Sequence, residues 1–302
     1  MNIYAFSLAL SISLMSPQAQ PMTPIEPTLI IENNNTLDPI TVEEYVARVV
    51  AHEVPYKYSF EALKAQAVAA RTYLYYCLEN SSHPHKSGAD ICSDITHCCG
   101  YITESELGER YGESYAKAAF EVSRAAAMAT EGEVVTYNSE PILAVWHASS
   151  GGYTENSGDV WLSQLPYLCA VPSLEDTSDF TVSFTLGDVT KILSSNGYTY
   201  NKSTALCITR TKSGRCRELT IGNVTLSSSS ARSIFSLRST DFTAWISNGR
   251  LYFRTQGYGH GVGMSQNGAE AMAKSGKNYR EILMHYYTGS KIAPIEKAGD
   301  TK

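Results

Sequence analysis

An α+β fold, with helices mixed with an antiparallel sheet, is predicted for this 302-residue chain. Two helical patterns follow one another between about residues 41 and 78. Short alternating segments bounded by turn residues fill 178–254, and a glycine-rich loop then leads into a helical close. Helices are thus segregated from strands along the sequence, the pattern of α+β domains rather than of βαβ repeats. A hydrophobic content of 43% supplies a substantial core for one or two domains. The net charge of −6, with both signs dispersed, argues against nucleic acid as a partner.

In chain order, residues 1–20 hold an apolar run of about a dozen positions. It is short for a membrane span and suits the apolar part of an export signal or anchor. Residues 21–40, rich in Pro, Thr, Asn and Glu, read as a linker with one short strand over Thr28–Ile31. The globular unit is expected over 41–292, with a tail at 293–302. Thr41 with Glu44 three positions on is a capping box, and Tyr45, Val46, Val49 and Val50 give the first helix its apolar face. Pro55 bars continuation, so Glu53 falls at the helix C-terminus. Ser59 caps a second helix to about Leu78, with Leu63, Ala67, Ala70 and Leu74 as its buried face. Lys64 and Arg71, seven apart, share another face of it. An irregular segment spans 81–100, and a third helix is expected over 113–130. EGEVVTY and PILAVWHAS read as strands joined at Asn138-Ser139. SSGGYTENSGDVW is a loop, 178–254 carries strands and a helix near 186–194, and NYREILMHYYTG is a last helix closed by Gly289.

Four groups of residues could carry chemistry. Of the seven cysteines, three cluster with a histidine, and Cys92, His97 and Cys98 could supply three zinc ligands from one loop. The fourth could be His85, His83 or Cys99. The loop GYGHGVGMSQNGA lacks the Lys-Ser/Thr of a phosphate-binding loop. Its glycines let the backbone approach a ligand, which would point His260 into a cleft. HASSGGYT has no nucleophile elbow and reads as a hydroxyl-rich cleft wall. Glu53 meets the negative end of a helix dipole beside apolar neighbours, and both effects are expected to raise its pKa towards that of a general acid.

The run EEYVARVVAHEVPYKYSFEALKAQAVAARTY resembles the signature of the stage II sporulation protein D family. So do HASSGGYTENSGDVW with PYL at 166–168, LRSTDF at 237–242, and TQGYGHGVGMSQNGAEAMAKSG with ILMHYYTG. The similarity covers roughly Thr41 to Ile292. It implies one catalytic unit, an exported or membrane-tethered lytic transglycosylase that cuts peptide-stripped peptidoglycan glycan strands during forespore engulfment. It also implies an amidase partner, stage II sporulation protein P, and a membrane scaffold, stage II sporulation protein M. The family's catalytic glutamate falls on Glu53. A His, Cys, His, Cys zinc set found in some members falls on Cys92, His97 and Cys98 with a first histidine near His85. Lys64 and Arg71 then become candidates to bind the lactyl carboxylate of muramic acid, with Ser149, Tyr167 and His260 as cleft walls. Relatives described as amidase enhancers imply a rival reading, a non-catalytic glycan-binding module that recruits an amidase.

Overall fold

The computed structural model describes residues 28–295, apart from 34, 81–84, 86, 95, 96, 162 and 176–178. The N-terminal apolar segment, most of the tail and His83 lie outside the described residues.

β1 (Thr28–Asn33) and β2 (Thr36–Thr41) form an antiparallel hairpin, with Thr28 opposite Thr41. Residues 28–40 are therefore not a linker: Leu29, Ile31 and Ile40 are buried, so the hairpin lays one face on the core. Thr41 caps α1 (Val42–Glu53) by accepting from the Glu44 N–H, and α2 (Phe60–Glu79) follows the Pro55 break. β3 (Ile91–Cys92) adds to β1 in parallel. α3 (Glu104–Tyr111) was not anticipated, although Thr103 and Glu106 form a capping box legible in the sequence. α4 (Glu113–Met128) packs along α1 and α3.

β4 (Glu133–Tyr137) and β5 (Glu140–Pro141) make the expected hairpin, and both turn residues, Asn138 and Ser139, carry positive φ, 53° and 69°. The expected strand after it does not run on. Ala144 N–H bonds to Ile142 O and Val145 N–H to Leu143 O, tight turns that leave only β6 (Trp146–His147). A helical turn, α5 (Ser157–Val160), sits in the Gly/Ser loop.

The alternating region folds as β7 (Phe180–Thr185), α6 (Leu186–Ser195), β8 (Leu206–Arg210), β9 (Cys216–Ile221), β10 (Val224–Ser227), α7 (Ser228–Ile234), β11 (Phe242–Ser247) and β12 (Arg250–Thr255). These strands form two antiparallel sheets, β10-β9-β8 and β11-β12-β7, over a common core. Cys207 faces Thr220 and Cys216 faces Arg210, so the hairpin does not pair them and both are free thiols. β13 (Met264–Ser265) opens the segment that continues as α8 (Gln266–Lys274), α9 (Tyr279–Tyr286) and β14 (Lys291–Pro294), the last pairing with β4. The fold is thus α+β, but its strands divide among several small sheets, and β1–β3 and β6–β13 pair in parallel.

α2 is the central packing element. Leu63, Ala67, Ala70 and Leu74 bury against α1 and the β1 hairpin, while Ala62, Ala65, Val68 and Ala69 bury against α8, α9 and β4. A helix that is apolar on more than one face belongs to an interior, and its alanines let neighbours approach closely. This packing fixes α1, and with it Glu53 at its last turn.

Candidate active site

Glu53 ends α1 beneath a cleft of about 460 Å³. Its Oε2 accepts a hydrogen bond from Trp146 Nε1 at 2.9 Å and from Gln266 Nε2 at 3.3 Å. Its Oε1 lies 3.4 Å from His52 Nδ1. Trp146 and Gln266 are 120 residues apart in sequence, and the parallel pairing of β6 with β13 unites them. Met264 stands opposite Trp146 and Ser265 opposite His147, and Gln266 follows as the first residue of α8. Gly263, with φ of +73°, lets this pairing close, because a Cβ there would lie 2.2 Å from Val145 O. Gly100 makes room for the carboxylate itself: a Cβ there would lie 2.2 Å from His52 Nδ1 and 2.5 Å from Glu53 Oε1.

The expected rise in the Glu53 pKa is not found. Burial alone pushes the carboxyl up, but the hydrogen bonds of His52, Trp146 and Gln266 with the His52 charge outweigh it, and the group is held below its ordinary value. The local rule weighs the helix end and the apolar neighbours but not the adjacent His52, the largest opposing contribution, and the further donors Trp146 and Gln266 come from distant elements.

His260 lines the cleft as expected. Burial, with the Arg232 and Arg215 charges, pushes it down to about 4, so its ring is neutral at neutral pH. Its Nδ1 accepts from Val262 N–H at 3.1 Å, which leaves the ring proton on Nε2. Trp161 stands 5.5 Å from it, centroid to centroid, and is partly exposed. His147 is buried between Val262 O and Ser150 Oγ and is held neutral by burial, His260 and Arg215.

The other expected substrate contacts lie elsewhere. Arg71 is fully buried, and its guanidinium makes a two-point contact with the Glu43 carboxylate. It also donates to Ala127 O at 3.0 Å and Glu133 O at 3.2 Å. Its face of α2 meets α1 and the α4–β4 junction, so it is a core cation and not a cleft contact. Lys64 pairs with Glu61 at 2.5 Å and lies 4.7 Å over the Tyr279 ring, outside the cleft lining. Tyr167 is buried, with its hydroxyl accepting from Leu143 N–H and its ring against Tyr137, so it belongs to the core. Ser149 gives its hydroxyl to Glu175, and its neighbours Ala148 and Tyr258 line the cleft instead. Sequence reasoning missed Trp146, Gln266 and Gly100. Trp146 and Gln266 lie within recognisable motifs, but nothing local in the sequence marks these side chains.

The His/Cys cluster abuts the same cleft, since Cys98 and Cys99 line it. The ligand atoms of His85, Cys92, His97 and Cys98 all lie within 4.8 Å of one another. Cys98 Sγ is 3.4 Å from His85 Nε2 and from His97 Nδ1, and Cys92 Sγ is 3.5 Å from His97 Nδ1. A tetrahedral ion with bonds of about 2.3 Å to sulfur and about 2.0 Å to nitrogen needs N–S edges of about 3.5 Å, so the four residues fit a metal ion. Cys99 is not one of the four: its thiol is buried outside the converging set.

A family model described as stage II sporulation protein matches residues 32–137, the stretch that carries Glu53, the His/Cys cluster and Gly100. The chain is 35% identical over 270 residues to stage II sporulation protein D of Bacillus subtilis (strain 168), covering 87% of this chain and 77% of that one. It is 34% identical over 281 residues to the protein of the same name from Bacillus amyloliquefaciens, covering 91% and 80%. It is also 27% identical over 304 residues to a B. subtilis protein named amidase enhancer, covering 81% of this chain and 39% of that one.

Proposed function

The chain belongs to the stage II sporulation protein D family, and from that premise we propose that it is a lytic transglycosylase of peptidoglycan acting in forespore engulfment. One observation carries the reading: among the described residues that line the cleft and the smaller concavity beside it, Glu53 is the one carboxylate. Glycoside hydrolysis by water ordinarily needs two carboxylates, about 5–9.5 Å apart. One suffices when the nucleophile is already on the substrate. Glu53 as acid protonates the oxygen between N-acetylmuramic acid and N-acetylglucosamine, and the C1–O bond breaks. The resulting carboxylate then takes the proton of the 6-hydroxyl as O6 bonds to C1. The products are a 1,6-anhydro-muramyl end and a free 4-hydroxyl, and Glu53 finishes protonated, as it began. Trp146 and Gln266 hold the carboxylate in place through both steps. A glycan seated in the cleft removes water from around Glu53, which favours the protonated form needed first. Replacing Glu53 by glutamine tests the role: anhydro ends should vanish while glycan binding persists, and normal turnover by the variant would refute it.

Two further outcomes follow from the geometry. The Glu53 carboxyl is held low in the free protein, so the acid form becomes scarcer as pH rises. The kcat/KM on denuded glycan is expected to climb as pH falls from about 8 to about 5, a rise a pH–rate profile would reveal. Gly100→Ala drives a methyl group into His52 and the Glu53 carboxylate. Displacing an acid by about 1 Å costs on the order of 100-fold in rate, so kcat should fall by that order with KM little changed.

The metal fits zinc, held by His85, Cys92, His97 and Cys98. Four protein ligands close the coordination sphere, so zinc supplies a cross-link that ties the 97–100 wall to β3 rather than an activated water. Metal analysis should give one zinc per chain. Cys92→Ser or a chelator should remove it and lower Tm by about 10 °C or more, with the specific activity of the remaining folded protein unchanged. The same reading places the protein outside the cell membrane, exported or tethered by its N-terminal segment. Its glycan substrate is then stripped by a partner amidase, stage II sporulation protein P, on a scaffold, stage II sporulation protein M. No helix among the described residues is long and apolar enough to cross a membrane.

The similarity to an amidase enhancer favours a second reading, a glycan-binding module that stimulates an amidase. That role needs no acid, so Glu53→Gln would leave amidase stimulation intact.

A further inference from the structure

Glu53 also lines a second concavity of about 280 Å³, formed between the end of α1 and the turn from α3 into α4. Arg110, Tyr111 and Tyr115 form its outer wall. Arg110 and Tyr111 are exposed, and Tyr111 shows 64% of its surface. The rings of Tyr111 and Tyr115 lie 5.1 Å apart, and Tyr56 meets Tyr115 edge-on at 4.8 Å, so the aromatic wall is braced from within. Arg110 forms no ion pair among the described residues. Its charge acts on Glu106, whose carboxylate is already engaged by Thr103 N–H and Oγ1 at 2.8 Å. An unpaired guanidinium beside accessible tyrosine rings, in a concavity that the acid also lines, is the chemistry of a site for a sugar that carries a carboxylate.

We propose that this concavity binds the muramyl sugar next to the scissile bond, with Arg110 pairing its lactyl carboxylate and Tyr111 and Tyr115 stacking on its ring. The inference rests on the glycan-cleaving reading of Glu53 and deepens it. Lys64 and Arg71, the cations first expected to meet that carboxylate, are engaged elsewhere, and Arg110 is the lysine or arginine that lines the same concavity as the acid. A stem peptide on the lactyl group would remove the carboxylate, so the site selects strands from which an amidase has already cut the peptide.

Binding to the Glu53→Gln protein tests this without any turnover. The ligands are peptide-stripped glycan strands and N-acetylglucosamine oligomers, which lack the lactyl group. Adding Arg110→Ala should weaken binding of stripped strands roughly tenfold and leave the oligomers unchanged. Adding Tyr111→Ala should weaken both roughly fivefold. Both positions are exposed, so neither change should disturb the fold. Arg110→Ala with unchanged affinity for stripped strands, or equal losses on both ligands, would overturn the proposal. The wild-type reaction products bear on the catalytic reading separately. A site that binds as stated on a protein making no anhydro ends would keep the subsite and discard the enzyme.

Discussion

Arg71→Ala is expected to destabilise the protein by about 3–5 kcal/mol, the cost of stranding a buried partner charge. The Arg71 guanidinium, with none of its surface exposed, joins α1 through Glu43, α4 through Ala127 O and the start of β4 through Glu133 O. Alanine leaves the Glu43 carboxylate, itself 5% exposed, without its cation, and leaves two carbonyls short of a donor. Urea denaturation should show the midpoint shifted with little change in slope. The double change Arg71→Met with Glu43→Leu should recover part of the loss, because it removes both charges together, but not all of it, because Ala127 O and Glu133 O each still lose the Arg71 donor. The fraction that remains folded should bind glycan normally. A fully stable Arg71→Ala protein with lost glycan affinity would return Arg71 to the cleft and contradict its structural role.

Glu53→Gln is expected to lower the rate of anhydro-product formation by about 10⁴-fold, the upper end of the roughly 10²–10⁴ that general acid–base catalysis supplies. The upper end applies because one group serves as acid in the first step and base in the second. Glutamine keeps the shape, and its carbonyl can still accept from Trp146. Stability at neutral pH should fall slightly. A carboxyl held below its ordinary value contributes stability above about pH 4.5, lost as pH falls through its folded value, and the amide has no such contribution. Steady-state rates alongside circular dichroism would separate the large catalytic loss from the small structural one. A comparable rate in the variant would remove Glu53 from the chemistry.

The helices around the acid were legible because capping and periodicity are local: Thr41, Pro55 and the alanine-rich run set the ends of α1 and α2 within a residue or two. The metal set was legible for the same reason, since three of its members lie within seven positions. Periodicity gives the faces of a helix and not what meets them. α2 buries more than one face, so Arg71, whose partner Glu43 lies 28 residues earlier, is a core cation rather than the expected substrate contact. Lys64 was misplaced likewise by Tyr279, more than 200 residues on. The donors to Glu53 depend on a two-residue parallel pairing between β6 and β13, too short to leave a strand signal and too distant for any local rule. Trp146 and Gln266, with the adjacent His52 as the largest contributor, reverse the expected direction of its pKa.

The most direct test of a single-acid cleavage is the chemistry of the new chain end. Peptide-stripped glycan strands digested with the wild-type protein in oxygen-18 water would be analysed by mass spectrometry. The account predicts muramyl ends one water lighter than a reducing end and free of oxygen-18. New reducing ends formed in place of anhydro ends would show attack by water and contradict it.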